Sequence, residues 1–340
     1  MENERIAVVT TAPRQVEIRP EANPSPSAGE IVVETLATGI CGSDLHLFAG
    51  DHPYARYPLS QGHEAVGRVV ETGPGVDESL LGVLAAIEPT LECGTCPECR
   101  RGAYNRCEQL EVVGVMLDGS LAGRFVTRAA KAHAVPDDDD PARWALVEPV
   151  AVACHAVKRS TLAEGDLAVV LGAGVIGLSI ALASSRRSPE AIVIVEPSGV
   201  RRARVDELGI GVAVHPDEAD AAIAELRPAG ADVVFEATGV AEVLGESHRL
   251  VRPGGTILVV GQGAGSFSMP LIVMTRKELS LVGTRNSAED FPDAIELLGG
   301  SPEFVESVVT HRFHPRQAAH AFTELTAPGT QALKILLSFA

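Results

Sequence analysis

The chain has 340 residues, 46% of them hydrophobic and 21% charged, a length that is generous for one core and comfortable for two. A formal net charge of −17, with no basic stripe, counts against nucleic acid or an anionic membrane as partner. No charged-then-apolar leader is visible, so the expected compartment is the cytoplasm.

Along the first 150 residues, short β-rich runs alternate with Gly/Pro turns: "RIAVVT", "EIVVETLATG", "AVGRVVETGPG", "GVLAAIEP" and "GRFVTRAAKAHAVP". No long amphipathic helix interrupts them, which predicts a mainly β, barrel-like domain. Two stretches inside it carry metal-ligand types, "GICGSDLH" with Cys41 and His46 and "GHEAVG" with His63 and Glu64. Singly, each reads as core or satisfied polar residues. Together with Glu148 in "VEPVAVACHA" they offer a thiolate, an imidazole and carboxylates, a mix suited to a catalytic zinc with one open position. Cys154 reads as core packing.

Cys93, Cys96, Cys99 and Cys107 follow the spacing C-x2-C-x2-C-x7-C. Four thiolates on a short loop suit a saturated, structural zinc. A ferredoxin-type iron–sulfur site would want a final gap of three followed by proline, and disulfides suit an oxidising compartment.

After about residue 150 the rhythm changes to apolar strands alternating with helices: "LAVVLGAG" into "VIGLSIALASSRR", "AIVIVE" into "GVRRARVDELG", "ADVVFEATG" into "AEVLGESHRLV". A parallel sheet covered on both faces is expected. The uncharged run 167–184 is long enough to span a bilayer, but its three glycines fit a strand, a turn and a buried helix. Gly172, Gly174 and Gly177 form G-x-G-x-x-G at a strand–helix junction, where Val175 and Ile176 open the helix, and this reads as a dinucleotide fold. Glu196, ending the next strand, can accept from both ribose hydroxyls and would repel a 2′-phosphate, favouring NAD over NADP. Arg201 and Arg202 soften that preference. A Pro-Gly-Gly turn is expected before "TILVVGQG". The tail reads as a helix at "DFPDAIELLGG", an extended "VVTHRF", a helix at "QAAHAFTELT" and a strand "ALKILLSF". It is too short for a third core, so it is expected to pack back on the first domain.

In this order, "GICGSDLH", "PLSQGHEAVGRVVETGPGV", the cysteine loop, "VEPVAVACHAV", "VVLGAGVIGL" and "VRPGGTILVVGQ" resemble the zinc-containing medium-chain dehydrogenases of the alcohol, sorbitol and threonine dehydrogenase superfamily. The resemblance covers nearly the whole chain. It implies an α/β protein with a GroES-like catalytic domain at 1–152, a doubly wound Rossmann domain at 153–285 and a return to the catalytic domain at 286–340. It implies two zinc ions per chain. The catalytic ion falls to Cys41 and His63, with Glu64 or Glu148 as third ligand and Asp44 holding the histidine. "EP" at 148–149 places the chain with the polyol branch.

The same resemblance assigns Thr238 and Gly261 to the nicotinamide side, and proton removal from the zinc-activated hydroxyl to Ser43, with His46 passing the proton to solvent. The expected substrate is a small polyhydroxylated molecule, a sugar acid or polyol with a secondary hydroxyl. Ser43, Glu148, Arg285 and Asn286 would contact it, and Phe48 and Tyr54 would line the pocket or pack the barrel. Arg285 reads equally well as a surface charge. An aminocyclitol or amino-sugar dehydrogenase of antibiotic biosynthesis and a threonine 3-dehydrogenase-like enzyme use the same chemistry. Outside catalysis, a silent nucleotide-sensing protein or a zinc-finger-like module are the competing readings; a homodimer or homotetramer is expected.

Overall fold

A computed structural model describes residues 5–21 and 23–339, and the chain folds into two compact units, Met1–Glu148 with Ala294–Ala340, and Pro149–Asp293. The first unit opens with the hairpin β1 (Ile6–Ala12) and β2 (Gln15–Pro20), followed by β3 (Glu30–Gly39), helix α1 (Gly42–Ala49), β4 (Glu64–Thr72) and β5 (Leu84–Ile87). A ribbon of β6 (Thr90–Leu91) and β7 (Glu111–Val112) closes the base of the cysteine loop, in which the single turn α2 (Pro97–Arg100) carries Cys99. β8 (Arg124–Arg128), β9 (Ala132–Ala134) and the helix α3 (Val147–Arg159) follow.

In the second unit strands and helices alternate: β10 (Leu167–Leu171), α4 (Val175–Ser185), β11 (Ala191–Val195), α5 (Gly199–Leu208), β12 (Val212–Val214), α6 (Ala219–Leu226), β13 (Ala231–Glu236), α7 (Ala241–Glu246), β14 (Val251–Val259), α8 (Leu271–Lys277) and β15 (Ser280–Gly283). The chain then runs through α9 (Phe291–Gly299) and α10 (Pro302–Val308) to β16 (Val309–Phe313), α11 (Ala318–Thr326) and β17 (Lys334–Ser338).

The second unit holds one parallel sheet of order β12-β11-β10-β13-β14-β15. Its order reverses between β10 and β13, the point where doubly wound folds bind dinucleotides. Leu167, Val169, Val193, Val234 and Ile257 are buried in its core, as expected of strands covered on both faces. The run 167–184 is strand, turn and helix, and no helix among the described residues is long and apolar enough to cross a membrane.

In the first unit a seven-stranded sheet runs β16-β17-β3-β4-β5-β9, with β8 also on β3. The carboxy-terminal strand β17 pairs antiparallel with β3, Leu336 opposite Gly39, and its inward Ile335 and Leu337 join Ile40, Leu121 and Phe322 in one cluster. The return segment thus completes the barrel sheet.

Three features differ from the sequence expectations. "GSDLHLFA" forms α1, whose eight residues are too few to show a helical period. The Pro-Gly-Gly expected as a turn lies inside β14, where the register against β13 shifts and Gly254 takes a φ of 74°; the ladder bulges there and continues. The helix α10 stands where no element was expected. The unit boundaries fall within α3 and α9, where a continuous helix shows no break in its composition.

Candidate active site

The site grows from the end of β3 and the start of β4. Cys41 is the N-cap of α1, with its backbone N–H donating to Asp44 Oδ2 at 2.9 Å and its side chain accepting from the Asp44 N–H. This reciprocal cap fixes the thiol at the helix start and puts Ser43 on the first turn. Asp44 is 1% exposed; its Oδ1 accepts from the Gly62 N–H at 3.3 Å and lies 3.6 Å from His63 Nδ1. One carboxylate thus joins the two motif segments and orients the imidazole, leaving Nε2 3.4 Å from Ser43 Oγ.

Glu64 sits opposite Gly39 in the β3–β4 register. A Cβ on residue 39 would lie 2.0 Å from Glu64 Oε2, so glycine there is what admits the carboxylate. Among the described residues, Cys41, His63 and Glu64 bring their ligand atoms within 4.8 Å of one another. Glu148, half-buried, is not in that group. Burial pushes the Glu148 carboxyl up to about 7, helped by Glu64 and Asp44 against the pull of His63 and Lys334.

A residue that the sequence did not single out completes the cluster. Lys334, 3% exposed on β17, donates from Nζ to Glu64 Oε1 at 2.7 Å, to Glu64 Oε2 at 2.6 Å and to the Ile40 carbonyl at 3.0 Å. Burial works against its charge, but Glu64 and Cys41 hold its pKa above the usual value. For His63 burial likewise opposes the charge, and Asp44 and Cys41 outweigh it. Several acidic groups therefore converge on a dry spot where a cation is electrostatically favoured. The thiol, imidazole and carboxylate suit zinc with one position left open.

The cysteine loop fits zinc in a different way. Cys93 and Cys99 sulfurs are 3.9 Å apart and those of Cys96 and Cys99 3.4 Å, close to the roughly 3.8 Å edge of a tetrahedral zinc–thiolate site. Backbone N–H groups of Cys96, Cys93 and Gln109 point at the sulfurs of Cys93, Cys107 and Cys107, at 3.4, 3.3 and 3.3 Å. N–H groups of Thr95 and Cys96 draw Cys93 down to about 6, whereas burial and then its neighbours Cys96 and Cys107 push Cys99 up to about 12. Four adjacent thiols resist ionising together, and a dication removes that resistance. All six cysteines are free thiols.

In the second unit Gly172 adopts a φ of 98°, and a Cβ on Gly177 would lie 1.9 Å from the Gly172 carbonyl oxygen, so the helix packs directly on the turn. Gly174 caps α4 with open space around it, and the first turn of a helix offers N–H groups suited to an anion. Glu196 is 4% exposed, and its carboxylate accepts from the N–H groups of Ala173 and Ser198, both at 2.9 Å, with Arg201 3.9 Å away. Arg202 is turned to the carbonyls of Glu196 and Pro197. Thr238 and Gly239 donate to Glu236 Oε1, and a Cβ on Gly261 would lie 2.1 Å from Gly239 N. Thr238 and Gly261 thereby meet Gly172 at the carboxyl ends of the central strands.

The remaining residues fall apart. His46 is exposed and pairs with Asp51 at 2.9 Å. Phe48 stacks on Phe322 with ring centroids 4.8 Å apart and joins the barrel core, the packing alternative. Tyr54 is 49% exposed beside His52. Arg285 is exposed, and Asn286 holds a φ of 48°. Cys154 is partly buried, and burial pushes its thiol up to about 12, which suits packing and not reactivity.

Residues 27–137 match the alcohol dehydrogenase GroES-like domain family and residues 166–299 the zinc-binding dehydrogenase family. The chain belongs to the zinc-binding dehydrogenases and is in class a zinc- and nicotinamide-dependent alcohol dehydrogenase. Among relatives, it is 35% identical over 279 residues to the 2-dehydro-3-deoxy-L-galactonate 5-dehydrogenase of Pseudoalteromonas atlantica, covering 81% of each chain. It is 32% identical over 332 residues to a sorbitol dehydrogenase of Halalkalibacterium halodurans, covering 95% of each. Solved structures similar to it include an Escherichia coli dehydrogenase complexed with NADH (TM-score 0.91, 28% identity) and a zinc-binding dehydrogenase of Sinorhizobium meliloti bound to NADP (TM-score 0.90, 27% identity), each covering 99% of both chains.

Proposed function

We propose that this protein oxidises a secondary hydroxyl of a sugar acid or polyol to a ketone, with NAD as acceptor and two zinc ions per chain. The observation that carries the reading is the convergence of Cys41, His63 and Glu64 within 4.8 Å, with the Ser43 hydroxyl 3.4 Å from His63 Nε2. Those three side chains would hold the catalytic zinc, and Cys93, Cys96, Cys99 and Cys107 the structural one. Zinc in the first set would polarise a substrate hydroxyl and ease loss of its proton.

The rest is the work of the protein's own groups. Ser43 Oγ accepts the proton beside the metal ligands, and the exposed His46–Asp51 pair passes it to solvent. Asp44, with Oδ1 3.6 Å from His63 Nδ1, favours a proton on that nitrogen electrostatically. Glu148 supports the substrate from within the same electrostatic cluster. The turn at Gly172–Gly177 binds the pyrophosphate, and Thr238 and Gly261 shape the nicotinamide side. Relatives named for sugar-acid and sorbitol oxidation support the substrate class, and intact Cys41, His63 and Ser43 disfavour a silent nucleotide sensor. An NADH-absorbance screen across sugar acids, polyols, cyclitols and amino sugars tests the reading. Turnover is expected with the first two classes, and turnover confined to amino sugars or cyclitols would overturn it.

NAD selectivity is assigned to Glu196, whose carboxylate is fixed by two backbone N–H groups at the end of β11. Replacing it with glutamine is expected to shift the NADP/NAD ratio of kcat/KM about tenfold toward NADP, since Arg201 stands close by. A wild-type preference for NADP would overturn this assignment. Self-association into a dimer or tetramer is supported by the edge strand β15, beside which Leu271, Ile272 and Leu281 are exposed. Six free thiols suit the reducing cytoplasm.

A further inference from the structure

The residues just before His63 hold a buried polar link that the metal group does not itself contain. Gln61 is 0% exposed and Thr10, on β1, is 1% exposed. Gln61 Nε2 donates to the Asp44 carbonyl at 2.9 Å, and Gln61 Oε1 accepts from the Thr10 hydroxyl at 2.6 Å. A carbonyl only accepts, so the amide faces Asp44 with its NH2 end, and the Thr10 hydroxyl is then the donor at the other. The backbone of this segment is already placed without that side chain. Thr10 and Leu59 exchange backbone bonds at 2.9 and 3.0 Å. From the other side, the N–H groups of Gly119, Leu121 and Ser120 donate to the carbonyls of Ser60, Gln61 and Gly62 at 2.7, 2.8 and 3.0 Å. What the Gln61 side chain adds is a tie to α1.

That tie sits where the two halves of the metal group meet. Cys41 and Ser43 belong to the start of α1, and His63 and Glu64 to the start of β4. Asp44 Oδ1 accepts from the Gly62 N–H across the same gap, but at 3.3 Å; the Gln61 bond is the shorter. An apolar side chain of similar length would fill the space with no amide to desolvate, so stability alone does not call for glutamine here. A fully satisfied buried polar network instead fixes one arrangement. We propose that Gln61, locked by Thr10, is a positioning residue that sets the spacing between Cys41 and His63 and so tunes how tightly their site holds a metal. The proposal rests on the reading of Cys41, His63 and Glu64 as ligands. Without the amide, the first turn of α1 relies on the longer Asp44–Gly62 bond. Sulfur and imidazole then shift relative to one another, and a tetrahedral ion is held less well.

The experiment compares wild type with Gln61→Met, Thr10→Val, Thr10→Ser and Cys41→Ser. Zinc affinity is read by chelator competition, metal geometry by the visible spectrum of the cobalt-substituted protein, and the cofactor unit by NADH binding. Cys41→Ser identifies which zinc and which cobalt bands belong to the Cys41 site. Gln61→Met is expected to weaken that zinc about tenfold and to shift those bands, while the cysteine-loop zinc and the NADH dissociation constant stay within about twofold. Thr10→Val leaves the amide in place but unlocked, and keeps the test valid if Gln61→Met does not fold; it should weaken the same zinc about threefold. Thr10→Ser, which keeps the hydroxyl, should recover most of that loss. If Cys41→Ser moves one zinc and its bands while Gln61→Met and Thr10→Val do not, the link is overturned and the ligand reading stands. If Cys41→Ser leaves zinc affinity and spectrum unchanged, the ligand reading beneath it is overturned. Equal weakening of both zinc ions would mark Gln61 as structural only and overturn it as a positioning residue.

Discussion

Replacing Cys41 with serine is expected to lower kcat at least about a thousandfold while the fold survives. The thiol caps α1 by accepting from the Asp44 N–H, and a serine hydroxyl makes the same cap. Unfolding free energy should therefore change by no more than about 1 kcal/mol. The chemistry cannot be replaced in this way, because a thiol ionises for a metal near neutral pH and an aliphatic hydroxyl does not. Cys96→Ser should do the opposite, loosening the loop between β6 and β7 and lowering the unfolding midpoint, while correctly folded enzyme keeps its turnover. Steady-state rates and denaturant unfolding on both variants separate the two roles, and the reverse pattern would contradict the division.

Lys131→Met is expected to destabilise the catalytic unit by about 3–5 kcal/mol. Lys131, 4% exposed, places Nζ 2.8 Å from Glu88 Oε1, 2.8 Å from Glu92 Oε2 and 4.2 Å from the Tyr104 ring centroid. Removing it leaves Glu88, 2% exposed, without its cation. Burial alone would raise the Glu88 pKa, but His133, Lys131 and Thr90 outweigh it and hold the carboxyl at about 2. A folded pKa below the unfolded value means that its contribution is fully present above about pH 4.5 and is lost as pH falls toward 2. The wild type should lose on the order of 3 kcal/mol across that window from this group. In Lys131→Met the slope should flatten, and adding Glu88→Gln should recover part of the stability. Urea titrations at several pH values measure both effects, and an unchanged slope would show that Lys131 is not what holds Glu88.

Both predictions depend on side chains of unequal visibility in the sequence. The glycine turn at 172–177 and the cysteine loop are legible because their ligands or turns lie within fifteen residues, so spacing alone carries the geometry. Cys41, His63 and Glu64 are legible only as a set in order, since each alone reads as core. Lys334 is hidden in the apolar run "ALKILLSF", where a long aliphatic stem fits a buried strand and the partner, Glu64, is 270 residues away. Thr10 and Gln61 are separated by 51 residues, and no local pattern links them. The short α1 and the bulged β14 escape for a different reason: eight helical residues hold barely two turns, and a Pro-Gly-Gly reads as a turn unless a neighbouring strand is there to carry the ladder across it.

We propose two metal sites with different tasks, an open one at Cys41, His63 and Glu64 and a saturated one in the cysteine loop. Zinc analysis of purified protein, beside the Cys41→Ser variant, tests this directly. Two zinc ions per wild-type chain and one in the variant, with turnover lost, is the predicted result. A single zinc in wild type, or two retained in an inactive Cys41→Ser protein, would contradict it.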